Sequence, residues 1–296
     1  MKCRILDYMS ETINTTQGIS RKPGAFEKRI HEIDLIRGLL IGLVLFDHLC
    51  WCLQYYGANW YYGTGETNLF FKWLFEVFSF YWTGSMYIGN TATSSTVDFR
   101  DIVQFFALFG FTFLSGVSSV FSKNNWIRAG QMIAVFAVIL VGSNILDASN
   151  IVSQNLKIDF NVIGVLAFST LFYCFVHGKG FRMLVVGVLV MFLLSAYTIP
   201  WLQGTPAKEA NIPALFEPSN HADWMPLFPY IFFFFLGALF SYIFYAPTKQ
   251  SLVKRRGNWE RPFCFMGRHS LLIYLGHQFI MLPIFILITI CLGIKL

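Results

Sequence analysis

Apolar residues run through this chain in blocks of about twenty, separated by short polar connections, and the blocks at 31–53, 102–121, 129–147, 161–177, 183–200, 226–246 and 269–293 are each long enough to cross a bilayer as a helix, 161–177 near the short limit. An eighth stretch, NLFFKWLFEVFSFYWTGSMYIG (68–89), is as aromatic as these, but Lys72 and Glu76 interrupt it one turn apart. It reads as an interfacial or re-entrant helix rather than a span. The pattern predicts an all-α polytopic transmembrane helical bundle of about seven spans, with eight as the alternative if 68–89 crosses. The organisation expected is a basic N-terminal tail over residues 1–30 and one integral membrane domain over 31–296.

Charge sets the orientation. Basic residues crowd the tail (Lys2, Arg4, Arg21, Lys22, Lys28, Arg29) and the loop 247–268 (Lys249, Lys254, Arg255, Arg256, Arg261, Arg268), and the positive-inside rule puts both in the cytoplasm. Seven spans with a cytoplasmic N-terminus satisfy this, with sixteen Lys and Arg inside against five outside. Eight spans would place the most basic loop outside.

Composition agrees: 55% of the residues are hydrophobic and only 13% charged, with a net charge of +6, against about 25% charged in soluble domains. The first thirty residues lack the apolar core and cleavage site of a secretory signal, so the first span is expected to direct insertion. The six cysteines have neither the spacing of a disulfide framework nor that of a zinc site, and no metal centre is expected. The basic loop reads as a topogenic, lipid-facing segment, and no nucleic-acid partner is expected.

Against this background, LIRGLLIGLVLFDH (35–48) stands out because it carries Arg37, Asp47 and His48 inside an apolar run. A charge at a span's centre costs on the order of 3 kcal/mol, so such groups mark function by default. Arg37 and His48 are eleven residues apart, which brings them to within about 20° of one helix face and separates them by roughly 16 Å along the axis. Asp34 lies on the same stripe, at i and i+3 from Arg37, and can pair with it. Asp47 points about 100° away, toward a neighbouring helix. The last span opens GRHSLLIYLGHQ (267–278): Arg268 and His269 fall at the cytoplasmic edge, while Ser270, Tyr274 and His277 share a face. A packing reading stands beside the functional one, with Arg37 snorkelling to headgroups, His48 bonded to a backbone carbonyl and the Ser270, Tyr274 and His277 face making interhelical hydrogen bonds. The small residues of FFALFGFTFLSGVSS (105–119) allow close helix approach, and His221 and Asp223, just before a span, are candidates to line an outer mouth with Asp47.

The blocks RIHEIDLIRGLLIGLVLFDH, FFALFGFTFLSGVS, ADWMPLFPYIFFFFLGALF and GRHSLLIYLGHQ resemble, in order, those of the bacterial heparan-α-glucosaminide N-acetyltransferase-like membrane family. The Arg37 to His48 spacing and the Ser270 to His277 segment are similar, more distantly, to the two histidine segments of acyltransferase-3 membrane enzymes. The resemblance implies a multi-pass enzyme of a bacterial cytoplasmic membrane that moves an acyl group, of acetyl type, from cytosolic acyl-CoA to a glycan or lipid-linked acceptor at the outer face. It implies His48 as catalytic base or acyl relay, Arg37 as a partner in the acyl-donor path, and Tyr274 and His277 beside the reacting centre. Asp34, Arg255, Arg256, Arg268 and His269 fall to the donor side. Acyl-CoA is then a co-substrate and no permanent cofactor is implied; membrane lipids, the acceptor and a second copy of the chain are the expected partners. Two departures stand out. Relatives acting on heparan-type glucosamine carry their active-site histidine in the outer segment after the first span, where LQYYGANWYYG (53–63) has none, and a histidine common in a G-V-L-H stretch is here Ala167. A proton-coupled exporter of a small molecule or lipid, or an inactive scaffold of the same fold, is the alternative reading of the same polar line.

Overall fold

A computed structural model describes residues 30–83, 85–88, 95–148, 160–204, 225–247, 251 and 257–294. Helices dominate: α1 (His31–Gly63), α2 (Leu69–Thr83), α3 (Phe99–Phe121), α4 (Asn125–Ala148), α5 (Val162–Val176), α6 (Phe181–Gly204), α7 (Leu227–Phe244), α8 (Glu260–Arg268) and α9 (Ser270–Cys291). Five of them contain segments long and apolar enough to cross a membrane, His31–Gly63, Ile102–Phe121, Asn125–Ile145, Leu227–Phe244 and Ser270–Cys291. Two shorter apolar helices, Val162–Val176 and Phe181–Ala196, occupy the places of the other two expected spans. The architecture is that of a polytopic helical membrane bundle. The sequence pattern did not foretell one feature, the short antiparallel ladder of β1 (Ser85–Ile88) and β2 (Ser95–Asp98), in which Ser85 faces Asp98 and Ile88 faces Ser95.

Two helices differ from their expected extents for visible reasons. α1 runs 33 residues, ten beyond the apolar block, which is about 50 Å of helix against a hydrocarbon core of about 30 Å. Its outer end is held by aromatic packing: Tyr56 and Trp60 stack on Phe285 of α9 at 5.2 and 5.8 Å between ring centroids, and the Trp60 indole N–H donates to Thr289 Oγ1 at 2.8 Å. α2 has 15 residues, about 22 Å of helix, and carries two charged side chains. The Asn68 side chain caps it by accepting from the backbone N–H of Phe70 and Phe71, and Lys72 and Glu76 pair across one turn at 3.8 Å on its exposed side.

The described residues form two compact units, divided within α3 after Phe111 and within α4 after Val138. One holds the second half of α3, the start of α4, α5, α6 and α7. At its centre α3 and α7 cross at a glycine pair: a Cβ on Gly116 would lie 1.8 Å from the Phe234 carbonyl oxygen, and one on Gly237 would lie 2.0 Å from that of Phe113. The small residues expected to permit close approach do so here, and they have a second use. Ser115 and Ser119 accept the two arms of the Arg128 guanidinium at 2.9 and 3.1 Å, so a cation at the start of α4 is satisfied by hydroxyls of α3.

The other unit holds α1, α2, the strand pair, the first half of α3, the end of α4, α8 and α9. Its core is built on α1, with Ile41 and Val44 against Ala107, Ile273 and Tyr274, and Cys52, Tyr56 and Trp60 against Leu74 and Phe285. All the described residues expected to carry chemistry lie in this unit.

Candidate active site

The site is positioned by the way α8 lies on α1. Gly38 and Gly267 meet with no side chain between them: a Cβ on Gly38 would fall 1.8 Å from the Phe263 carbonyl oxygen, and one on Gly267 would fall 1.8 Å from that of Asp34. Backbones this close force the neighbouring side chains into register. On α8 the residues at four-residue spacing, Glu260, Cys264 and Arg268, face His31 and Asp34 of α1. Glu260 bonds His31 at 2.6 Å, the Cys264 sulfur lies 3.5 Å from the other ring nitrogen of His31, and Arg268 Nε donates to Asp34 Oδ2 at 3.2 Å. The partner that Asp34 finds is thus Arg268, contributed from the far end of the chain, and Arg268 keeps half of its side chain exposed. Arg37 sits half-buried one residue before Gly38.

About three turns further along α1, His48 meets His277 of α9, with ring centroids 4.6 Å apart and planes at 80°. Each ring is fixed by its own helix. The Nδ1 of His48 lies 2.9 Å from the Val44 carbonyl oxygen, and that of His277 is within hydrogen-bond distance of the Tyr274 carbonyl oxygen. A carbonyl has no proton to give, so in both rings Nδ1 carries a hydrogen, and in the neutral ring Nε2 keeps its lone pair. Both bonds turn the rings into proton acceptors. His277 is 6% exposed and its Nε2 is buried without a hydrogen-bond partner among the described residues, which is the condition of an acceptor awaiting a donor. The ring of Tyr274 is 5.7 Å from that of His277, completing a three-ring cluster. The backbone-bonded histidine foreseen as a packing role is therefore observed, yet the bond spends only one nitrogen of each ring.

Asp47, adjacent to His48 in sequence, does not orient it. It turns to α3, where Arg100 Nε approaches Asp47 Oδ1 at 3.3 Å with the carboxylate side chain 9% and the guanidinium 26% exposed. The neighbouring-helix partner expected for Asp47 is thus the arginine that begins α3. His269 is exposed at the junction of α8 and α9, its ring 4.7 Å from that of Phe265. His221, Asp223, Arg255 and Arg256 lie outside the described residues. Reading the sequence did not single out Arg100, His31, Glu260 or Cys264 as site residues. Arg100 carried a faint signal as a cation flanking a span, whereas His31 and Glu260 are 229 residues apart and only the fold joins them. Among the described residues no three His, Cys, Asp or Glu side chains are grouped to hold a metal ion.

Comparison with known proteins adds the family. No curated protein and no solved structure matches the chain. The family model described as heparan-alpha-glucosaminide N-acetyltransferase, catalytic, matches residues 74–279, more than two thirds of the 296 residues. The matched stretch takes in Arg100, Arg268, Tyr274 and His277 but starts after α1, so Asp34, Arg37, Asp47 and His48 are joined to it by packing. With a polytopic helical bundle and this match over most of its length, the chain belongs to the heparan-alpha-glucosaminide N-acetyltransferase catalytic-domain family of membrane acetyltransferases.

Proposed function

We propose that the chain transfers an acetyl-type acyl group from cytosolic acyl-CoA to a hydroxyl or amine of a glycan or lipid-linked acceptor at the outer face of a bacterial cytoplasmic membrane, with His48 as general base. The observation that carries this reading is the facing pair of imidazoles, each held as an Nδ1–H tautomer by a carbonyl of its own helix. His48 is the less buried of the two, and its Nε2 takes the proton of the acceptor as the acceptor oxygen or nitrogen attacks the thioester carbonyl carbon. The bond to sulfur then breaks, and the departing CoA thiolate takes the proton from His48, which returns the base to its neutral form. His277, with an unused Nε2 beside it, accepts a hydrogen bond from the Nε2–H that His48 acquires, the task a carboxylate performs in other acid–base pairs, while the Val44 carbonyl holds the other nitrogen. Tyr274, whose ring lies 5.7 Å from that of His277, stabilises developing oxyanion charge. Arg37 lines the donor path about three turns toward the cytoplasm, and Arg268 and His269 meet the phosphates of CoA at the cytoplasmic edge. The aromatic outer end of α1 lacks the histidine that relatives acting on glucosamine carry there, so the acceptor is assigned by class alone.

The test uses purified wild type, His48→Ala and His277→Ala with radiolabelled acetyl-CoA and a membrane extract. Wild type is expected to release CoA and pass label to the lipid or glycan fraction, and both variants to lose about 10²–10⁴-fold in rate while melting at the wild-type temperature. A fully active, well-folded His48→Ala protein removes the base assignment. Absence of CoA release by wild type hands the polar line to the exporter or scaffold reading.

A further inference from the structure

We infer that Cys264, His31 and Glu260 form a second acyl-handling centre, in which the Cys264 thiol takes an acyl group from acyl-CoA by thioester exchange. The inference rests on the proposal that acyl-CoA is the donor, and it concerns residues that the transfer mechanism does not use.

The order of contacts carries it. Glu260, a carboxylate 4% exposed, lies 2.6 Å from His31 Nε2. An ionised carboxylate only accepts, so Nε2 bears a proton, and in the neutral ring Nδ1 keeps its lone pair. That nitrogen lies 3.5 Å from the Cys264 sulfur, within reach of its proton. The tautomer is the opposite of the one imposed on His48 and His277, and it makes His31 the base for one particular thiol. A nucleophile, a base within reach of it and a third group orienting the base is the arrangement that activates cysteine for acyl transfer. Packing alone asks for none of this: a buried cysteine needs no imidazole, and a buried glutamate is costly unless bonded.

The surroundings fit the donor. The same short helix carries Arg261 three residues before Cys264 and Arg268 four residues after it, both exposed, and guanidinium groups match phosphate oxygens. Cys264 is 5% exposed while the His31 side chain is 19% exposed, so a thioester approaches over the imidazole. The step balances without a further reagent. The Cys264 proton passes to His31 Nδ1, the thiolate adds to the thioester carbonyl carbon, the carbon–sulfur bond to CoA breaks, and the CoA thiolate takes the proton back from His31. One thioester replaces another, so the exchange is near equal in energy and reversible. From His31 to His48 is seventeen residues of α1, about 25 Å, too far for the acyl group to pass directly to the base. Acyl-Cys264 is therefore a separate covalent state of the protein.

The experiment incubates detergent-purified full-length protein with radiolabelled acetyl-CoA and follows label on the polypeptide, its release by neutral hydroxylamine, and its position by peptide mass spectrometry. Wild type and His48→Ala are expected to carry hydroxylamine-labile label on the peptide containing Cys264. Cys264→Ser should lose it, and His31→Gln should acquire it about 10²-fold more slowly, with melting temperatures measured for each. Label that persists in Cys264→Ser, or wild type that transfers acetyl to acceptor without ever carrying the thioester, overturns the inference and leaves the transfer reading standing. A donor-independent arm separates the two: N-ethylmaleimide should modify Cys264 faster in wild type than in His31→Gln, whether or not acetyl-CoA is the donor. Equal rates overturn the triad.

Discussion

Gly38 and Gly267 hold mirror positions at one helix crossing, each facing the backbone carbonyl oxygen of the residue four places before the other, Phe263 and Asp34. A methyl group on either would stand 1.8 Å from that oxygen, and backbone cannot step aside as a side chain can. Gly38→Ala and Gly267→Ala should each destabilise the protein by roughly 2 kcal/mol or more. The double variant should cost less than the sum, because the first methyl already opens the crossing. Gly42, on the same helix, is the control: nothing lies within 4 Å of the place its methyl would take, and its alanine variant should melt at or slightly above the wild-type temperature. Thermal melts in detergent check all four.

In the transfer reading His48 and His277 act as a unit. The variant lacking both imidazoles should then be no slower than the worse single variant, since groups that serve one step are not additive. Single-turnover rates of CoA release measure this. Independent multiplication of the two losses would separate the roles.

Removing Arg100 should hurt mainly through what it leaves behind. Arg100→Ala takes the guanidinium from beside a buried Asp47 carboxylate, and breaking such a pair from one side costs about 3 kcal/mol. Asp47→Asn added to it should recover part of the loss by discharging the carboxylate. Melting temperatures of the two singles and the double test the sign of the coupling.

Thr289→Val should leave the Trp60 indole N–H, a donor in the buried aromatic cluster, without its acceptor, at a cost of about 1–3 kcal/mol. The same substitution keeps the side-chain volume and also removes the bond from Thr289 Oγ1 to the Phe285 carbonyl oxygen, so the loss reports the two hydrogen bonds together. Chemical denaturation followed by tryptophan fluorescence reads it.

Which of these relationships could be read along the chain depends on their range. The spans were legible because membrane helices answer to length and hydropathy alone, and the common face of Arg37 and His48 followed from helix geometry. The ten extra residues of α1 were not, since Tyr56 and Trp60 look like a loop until Phe285 is placed against them. Nor was the partner of Asp34: Arg37 was the local candidate, and Arg268, 234 residues away, is brought to it by the crossing of Gly38 and Gly267. The histidine pair was half legible. Both members stood out as imidazoles in apolar runs, but their meeting, and the carbonyl bonds that fix their tautomers, belong to packing between the first and last helices.

The pairing of α1 with α8 and α9 also sets a timetable for synthesis. α1 is made before α8 and α9 and carries the carboxylates of Asp34 and Asp47, while the cation that answers Asp34 lies 234 residues downstream. At ribosomal speeds of about 5–20 residues per second, the first helix waits roughly 10–50 s for it. During that wait the Asp34 carboxylate, at the cytoplasmic edge, is left to water and lipid headgroups in place of a guanidinium. α1 is thus at its most open to quality control in the interval before α8 is made.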